Sequence, residues 1–400
     1  MTSLFLHIAY WVWLGFQLLI GYNLALPLVL YLLYVILPKK KLPIDTKPAS
    51  QASGEADYAI IVTAYEQTHT LPPVIDSLLR LQYSNYLIYI VADKCDVSNL
   101  HFADSRVIVL RPQETLASNT RSHFYAINNF KRRHERLTII DSDNLVEPDY
   151  LSQLNPYFDA GFSAVQGERK AKNLDTTYAC IDAARDVYYH FYDGKILFQV
   201  GSSATLAGSG MAFTVQLYKE CLGHLDITGA GFDKVLQKEI LSRGYRIAFT
   251  ADAVVYDEKT SQSDQLVKQR ARWINTWFKY FVFSFQIIGL GIRNANWNQF
   301  LFGFILLRPP LFIFLILSFF LMAANVFISP FIAVLWLIGF AMFVAGFFIA
   351  LLLSPTDKRI YKALTGIPKF VFYQVLSLLK AKNANKHSVA TQHFHGKKIE

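Results

Sequence analysis

The sequence predicts an α/β domain with a mainly parallel sheet, flanked by transmembrane and interfacial helices, on three observations. Long uncharged apolar stretches stand near both ends of a 400-residue chain that is 53% hydrophobic, a high share for a soluble protein. Between Tyr58 and Tyr256, short β-rich runs alternate with helical patterns. The residues just beyond those runs are acidic and polar, and the carboxyl ends of parallel strands are where ligands bind in such sheets.

The membrane segments come first. From Leu4 to Leu37 the chain carries no Lys, Arg, Asp or Glu, too long a stretch for a signal-peptide core. It is one tilted helix, a tight hairpin, or a span plus an interfacial piece, with Asn23 and Pro27 as break points. Lys39, Lys40 and Lys41 follow, and the positive-inside tendency then assigns the downstream domain to the cytoplasm. A bacterial inner membrane is the expected location.

Further spans are expected over Phe300–Ala323 and Ile328–Leu353, joined by a turn at Ser329 and Pro330. Arg308 lies inside the first, beside Pro309 and Pro310, and is either a snorkelling arginine or a functional charge at a helix break. Phe281–Ile292 and Ile367–Leu379 are short, apolar and flanked by bases, as interfacial helices are. The chain thus divides into a membrane anchor of one or two helices (1–41), a soluble domain (55–260), a basic-aromatic segment with an interfacial helix (261–295), two transmembrane helices (296–355), and an interfacial helix with a polar tail (356–400).

Lys and Arg number 39 against 30 Asp and Glu, an excess that suits nucleic acid, anionic lipid or a phosphorylated substrate. Much of it flanks the apolar segments and no groove-reading or stacking motif occurs, so no nucleic-acid partner is expected. Cys95, Cys180 and Cys221 form no CxxC or Cys/His spacing, which argues against a disulfide framework or a zinc site.

Strand-like runs are read at Ala59–Val62, Leu87–Ala92, Arg106–Leu110, Leu137–Ile140 and Ala164–Gly167. The first ends in Thr63-Ala64-Tyr65-Glu66, before a helix over about Pro72–Leu81, and offers an aromatic face and a carboxylate for a base or ribose. The second ends at Asp93, which either accepts a hydrogen bond from a uracil or ribose or caps a helix. The fourth leads into Asp141-Ser142-Asp143, two carboxylates able to approach one hard cation that bridges a diphosphate. Gly208-Ser209-Gly210 is a small-residue loop where bare backbone can approach a sugar, or a plain tight turn. Asp233 opens a helix that runs through Leu241, where it is either a general base or an N-terminal cap. Gln269, Arg272 and Trp273 supply a phosphate-binding fork and a stacking face, or a basic-aromatic belt at a membrane interface.

In this order the motifs resemble the family 2 inverting glycosyltransferases of the GT-A (nucleotide-diphospho-sugar transferase) fold, in particular the membrane group of cellulose, chitin and hyaluronan synthases. The resemblance spans about Tyr58 to Trp273. It implies that Thr63, Ala64, Tyr65, Glu66 and Asp93 bind the nucleotide sugar, that Asp141 and Asp143 are the DxD metal motif for Mg2+ or Mn2+, and that Asp233 is the catalytic base. It also implies that Gly208, Ser209 and Gly210 lie near the acceptor, and that Gln269, Arg272 and Trp273 form the QxxRW motif of processive members, touching donor and, through Trp273, acceptor. Two departures stand out: Phe232 replaces the usual acid before the base, and Thr120-Arg121-Ser122 replaces Gly-Lys-Gly, leaving Arg121 as the diphosphate partner.

The resemblance implies a metal-dependent hexosyltransferase that moves a sugar from a UDP-sugar to a growing polysaccharide, for extracellular or capsular polysaccharide synthesis. Its partners would be the donor, a saccharide or lipid-linked saccharide acceptor, membrane lipids, and a second copy or an export partner. The alternatives are a single transfer to a lipid-linked acceptor and, from another class, a membrane scaffold that retains the fold without catalysis.

Overall fold

A computed structural model describes residues 2–37 and 55–384. Lys39–Lys41, on which the cytoplasmic assignment rests, and the tail from 385 onward lie outside the described residues.

The uncharged N-terminal stretch is one continuous helix, α1 (Thr2–Ile36), with Pro27 inside it. Proline leaves the carbonyl of residue 23 without its usual donor. The Asn23 side chain turns back to donate to the Leu19 and Ile20 carbonyls, both at 3.1 Å, and the helix runs on through both break points.

The soluble part opens with β1 (Tyr58–Tyr65), α2 (Leu71–Leu79), β2 (Tyr86–Asp93), β3 (Val107–Leu110), α3 (Asn119–Asn128) and β4 (Arg136–Asp141). After β5 (Leu145–Val146), α4 (Tyr150–Asp159) and β6 (Ala164–Ala171), helix α5 (Thr177–Tyr189) passes through a π-helical stretch, His190–Ile196, into α6 (Leu197–Gln199). Then come β7 (Met211–Thr214), α7 (Val215–Leu222), α8 (Phe232–Ser242) and β8 (Ala248–Asp257). The eight strands form one sheet in the order β3-β2-β1-β4-β7-β6-β8-β5.

β1 is buried along almost its whole length, because parallel neighbours lie on both edges and helices cover its faces. The sheet is less parallel than the sequence suggests: of seven pairings, β1–β2, β1–β4, β2–β3 and β6–β8 are parallel and the other three are not. The short β7 runs antiparallel between β4 and β6, which makes the sheet mixed. Four residues after a glycine loop carry no period of their own, so this strand is invisible in the sequence.

The C-terminal part contains α9 (Ser263–Tyr280), α10 (Val282–Arg293), α11 (Trp297–Leu307), α12 (Leu311–Ile328), α13 (Pro330–Leu352), α14 (Lys358–Ala363) and α15 (Ile367–Lys380). Among the described residues three helices are long and apolar enough to cross a membrane, over His7–Ile36, Leu311–Ile328 and Pro330–Leu352. The span expected over Phe300–Ala323 is corrected: α11 stops at Leu307 and a new helix begins at Leu311. Pro309 and Pro310 are the cause, since the residue before a proline is driven out of the α region, and Arg308 is extended (φ −60°, ψ 122°). The turn at Ser329 stands as expected.

Gln17 Oε1 in α1 accepts from Asn325 Nδ2 in α12 at 2.6 Å and from Trp336 Nε1 in α13 at 3.0 Å, joining the three long helices by hydrogen bonds. The α10–α11 pair is tied to the soluble part: Trp297 donates to the Val200 carbonyl and Gln299 to the Leu241 carbonyl. Arg308 does not snorkel. It is buried and paired with buried Asp193 of the π-helical stretch, with the Tyr189 ring 5.2 Å from its guanidinium carbon. Removing one partner leaves the other charge buried alone. Arg308→Leu is expected to destabilise the folded protein by about 3–5 kcal/mol, measurable as a lower midpoint of thermal unfolding in detergent.

Candidate active site

The carboxyl ends of β1, β4, β6 and β8 face one cavity of about 950 Å3, closed on the other side by α5, α8 and α9. The volume suits a nucleotide-sized ligand. Thr63 and Tyr65 line it from β1, Asp141 and Asp143 from the end of β4, Arg169 from β6 and Asp257 from β8. Asp233 enters from the first turn of α8, and Gln269, Arg272 and Trp273 from α9.

Asp141 ends β4 because the chain turns there: its amide donates to Ser209 Oγ at 3.0 Å, and Asn144 Nδ2 donates to the same oxygen at 2.7 Å. Ser209 therefore clamps the Asp-Ser-Asp turn against the loop before β7. Burial first, and then the neighbouring carboxylates of Asp143, Asp257 and Asp233, push Asp141 up to about 7, with Arg169 opposing them. Asp143 is buried, and its carbonyl accepts from Lys172 Nζ at 2.7 Å. This is a concentration of negative charge with hard oxygen donors. Among the described residues no group of three or more His, Cys, Asp or Glu converges to hold a metal ion unaided.

Asp233 owes its position to Gly231, the N-cap of α8, at φ +100°. A Cβ there would lie 2.6 Å from side-chain carbons of Thr276 and Tyr280 in α9. Glycine thus supplies the left-handed turn and lets α8 start pressed against the helix that carries Gln269, Arg272 and Trp273. Gly231→Ala is expected to cost about 1–3 kcal/mol from the backbone conformation alone, and to displace Asp233 from α9. Unfolding midpoints together with turnover of the purified variant check this.

Not every expected residue reaches the cavity. Asp93 is buried outside the lining, and its two oxygens accept from the Leu116 and Ala117 amides at 2.9 and 2.7 Å, fixing the loop before α3. Ala64 is buried, and Glu66, at φ +60°, pairs with Lys94 at 2.7 Å. Arg121 forks onto Asp226 at 2.8 and 2.6 Å on the exposed side of α3 and is not part of the cavity lining. Of the small-residue loop only Gly208 (φ +87°) lines the cavity. Gly210 belongs to the sheet, donating to the Ile139 carbonyl and accepting from the Gly167 amide.

The structure adds charged residues to which the sequence assigns no individual role. Arg169 pairs with Asp257 and with the Ala207 carbonyl, and Lys259 bridges Asp257 and Asp186. Arg185 contacts Asp182 and Asp186 at 3.0 and 2.5 Å, and Arg270 pairs with Asp182. The guanidinium carbons of Arg185 and Arg270 lie 4.4 and 3.9 Å from the centre of the Trp273 ring, which fixes that ring at the cavity wall. Burial and then the adjacent Arg185 push Arg270 down to about 10. The signal available in the sequence was Asp182, Arg185 and Asp186 on one face of an otherwise apolar helix.

The model of the family described as "Glycosyltransferase like family 2" matches residues 56–276, more than half of the chain and all of the cavity-lining strands. No curated protein sequence matches. Among solved structures, the mannosyltransferase PcManGT from Pyrobaculum calidifontis, in complex with GDP-Man and Mn2+, is similar with a TM-score of 0.50 at 14% identity, over 90% of this chain and 95% of that one. S. aureus TarS is similar at 13% identity with a TM-score of 0.38, over 58% of this chain and 40% of that one. Its 1–349 fragment with UDP-GlcNAc gives 12% identity and a TM-score of 0.42, over 82% of this chain and 90% of the fragment. The fold is a GT-A-like glycosyltransferase fold with a curled mixed sheet. By the extent of the family match, the chain belongs to the glycosyltransferase-like family 2.

Proposed function

We propose that the chain transfers a sugar from a UDP-sugar to a growing saccharide at a membrane surface, by one inverting displacement at the anomeric carbon. The observation that carries this reading is the convergence of Asp141, Asp143, Asp233, Arg272 and Trp273 on one cavity in a family 2 glycosyltransferase domain. Thr63 and Tyr65 at the end of β1 would hold the nucleoside. Trp273, stiffened by its two arginines, is a flat face for a sugar ring.

Asp233 would accept the acceptor hydroxyl's proton as that oxygen attacks. It lines the same cavity as the Asp141–Asp143 turn, near enough for its charge to raise Asp141, which supports a base acting beside the donor site. Asp141 and Asp143 would hold Mg2+ or Mn2+, and the crowding of carboxylates that raises Asp141 fits a cation at that turn. When bound, the ion supplies positive charge that makes the nucleoside diphosphate a better leaving group. The similar PcManGT carries Mn2+ and a nucleotide sugar, which agrees with this assignment.

The test is nucleotide release from a panel of UDP- and GDP-sugars, followed by product length on a gel with labelled donor. A ladder supports chain growth and a single band supports one transfer. A single transfer to a lipid-linked acceptor is favoured by one feature of the same cavity, its apolar far wall.

A further inference from the structure

The cavity does not end at Trp273. It continues past Arg308 between α12, α13 and α15, where Leu315, Phe343, Phe347, Phe370 and Val371 form its wall. Its mouth opens sideways: Val344, Phe348 and Ile367 line the cavity and are 49%, 41% and 38% exposed. Two of these three belong to α13, one of the helices apolar enough to cross a membrane, so the opening faces the level at which acyl chains would lie. Helix α15 is held along α9 where Asn275 donates to the Ala381 carbonyl at 2.9 Å, which makes one side of this groove continuous with the helix bearing Trp273.

Such a wall is wrong for a saccharide, whose hydroxyls would lose water and gain no partner. It suits a hydrocarbon chain, at about 25 cal/mol per Å2 of apolar surface removed from water. At the junction of polar and apolar halves stand Arg185, Arg270, Arg272 and Arg308, all lining the cavity. Arg270 has Nε and Nη1 without a hydrogen-bond partner, and Arg185 has Nε without one. Arg185 and Arg270 therefore offer more donor capacity than the protein uses, beside a groove that accepts a chain.

Resting on the sugar-transfer reading, we infer that the groove between α12, α13 and α15 seats the hydrocarbon tail of a lipid-phosphate-linked acceptor, with its phosphate at the Arg185–Arg270–Arg272 cluster. The acceptor hydroxyl is thereby presented toward Asp233 from the membrane side, and the anchored lipid restricts its approach to that direction.

The experiment uses the full chain in detergent micelles with octadecyl phosphate bearing a photoreactive diazirine in its chain. Labelling is expected on peptides from α12, from 343–348 and from 367–374, suppressed by excess unlabelled octadecyl phosphate but not by octadecanol or phosphatidylcholine. Val371→Trp and Leu315→Trp, which fill the groove from different helices, are each expected to reduce that labelling about tenfold, as misfits in apolar pockets do. Donor affinity measured by calorimetry reports whether each variant is folded. Labelling spread evenly over the outward faces of α1, α12 and α13, indifferent to the competitor, means bilayer lipid only and overturns the proposal. Equal protection by octadecanol overturns it too, because the phosphate is then not recognised. Protected labelling without nucleotide release from any donor would sink the sugar-transfer reading while leaving the groove. Turnover on soluble saccharides without protected labelling does the reverse.

Discussion

Asp233→Asn is expected to reduce sugar transfer by about 10²–10⁴-fold, the contribution of a positioned general base, while leaving donor affinity within about twofold. Asn keeps the size of the side chain at the first turn of α8 and keeps an oxygen able to accept a hydrogen bond, but it cannot take a proton. Asp233 is paired with Lys234 at 3.2 Å and is not part of the buried Asp182–Arg270 and Asp257–Lys259 contacts, so its replacement leaves that network whole. Single-turnover kinetics with labelled donor, together with donor titration of the same preparation, separate the two effects. Retained turnover would remove Asp233 from the chemistry.

The second large effect belongs to the turn after β4. Asp143→Asn is expected to lower turnover by about 10²–10⁴-fold, the rate equivalent of several kcal/mol of leaving-group stabilisation. The same turn gives a pH signature in protein stripped of divalent ions. Asp141 has an ordinary value of 3.8 and is pushed up to about 7, by burial first and Asp143 second. A raised carboxyl binds its proton more tightly folded than unfolded, so it stabilises the fold fully below about pH 4 and loses that contribution as pH rises through about 7. Asp141→Asn has no such loss. The variant should therefore unfold at nearly the parent's temperature at about pH 4 and gain on it progressively toward pH 8. Saturating Mn2+ or Mg2+ should erase the gain at pH 8 by stabilising the parent alone. A difference that stays constant across this range would contradict the placement of Asp141 among the carboxylates.

What could be read in the sequence depended on how local the physics was. The turn Asp141-Ser142-Asp143 was legible because a buried apolar run must end before two carboxylates two residues apart, and strand ends are where cavities form. The segment Gln269-Arg270-Ala271-Arg272-Trp273 was legible for a similar reason, as a basic-aromatic face on one helix. The pairing of Arg121 with Asp226, 105 residues away, is announced by nothing local. Arg308 is alike: its partner Asp193 is 115 residues distant, so the sequence leaves its two readings open. Ser209 looks like a bare loop residue in sequence, and only the tertiary fold makes it the clamp on Asp141 and Asn144.

The sheet divides in the same way. Strands β1, β2 and β4 announce themselves by unbroken apolar runs. The antiparallel β7 and the two-residue β5 exist through their neighbours, β4, β6 and β8, and carry no period of their own. At the membrane end, hydropathy found the apolar mass but set the first C-terminal span too early, because two prolines outweigh apolar content in deciding where a helix begins.

The central claim, sugar transfer from a nucleotide donor through the Asp141–Asp143–Asp233 cavity, is tested most directly by nucleotide release from the purified full chain offered a panel of UDP- and GDP-sugars with Mg2+ or Mn2+. The account predicts turnover of at least one donor, abolished by chelation and lowered about 10²–10⁴-fold by Asp233→Asn. Release that persists in chelator or stays at the parent's rate in the Asp233→Asn protein, or no release from any donor, would contradict it.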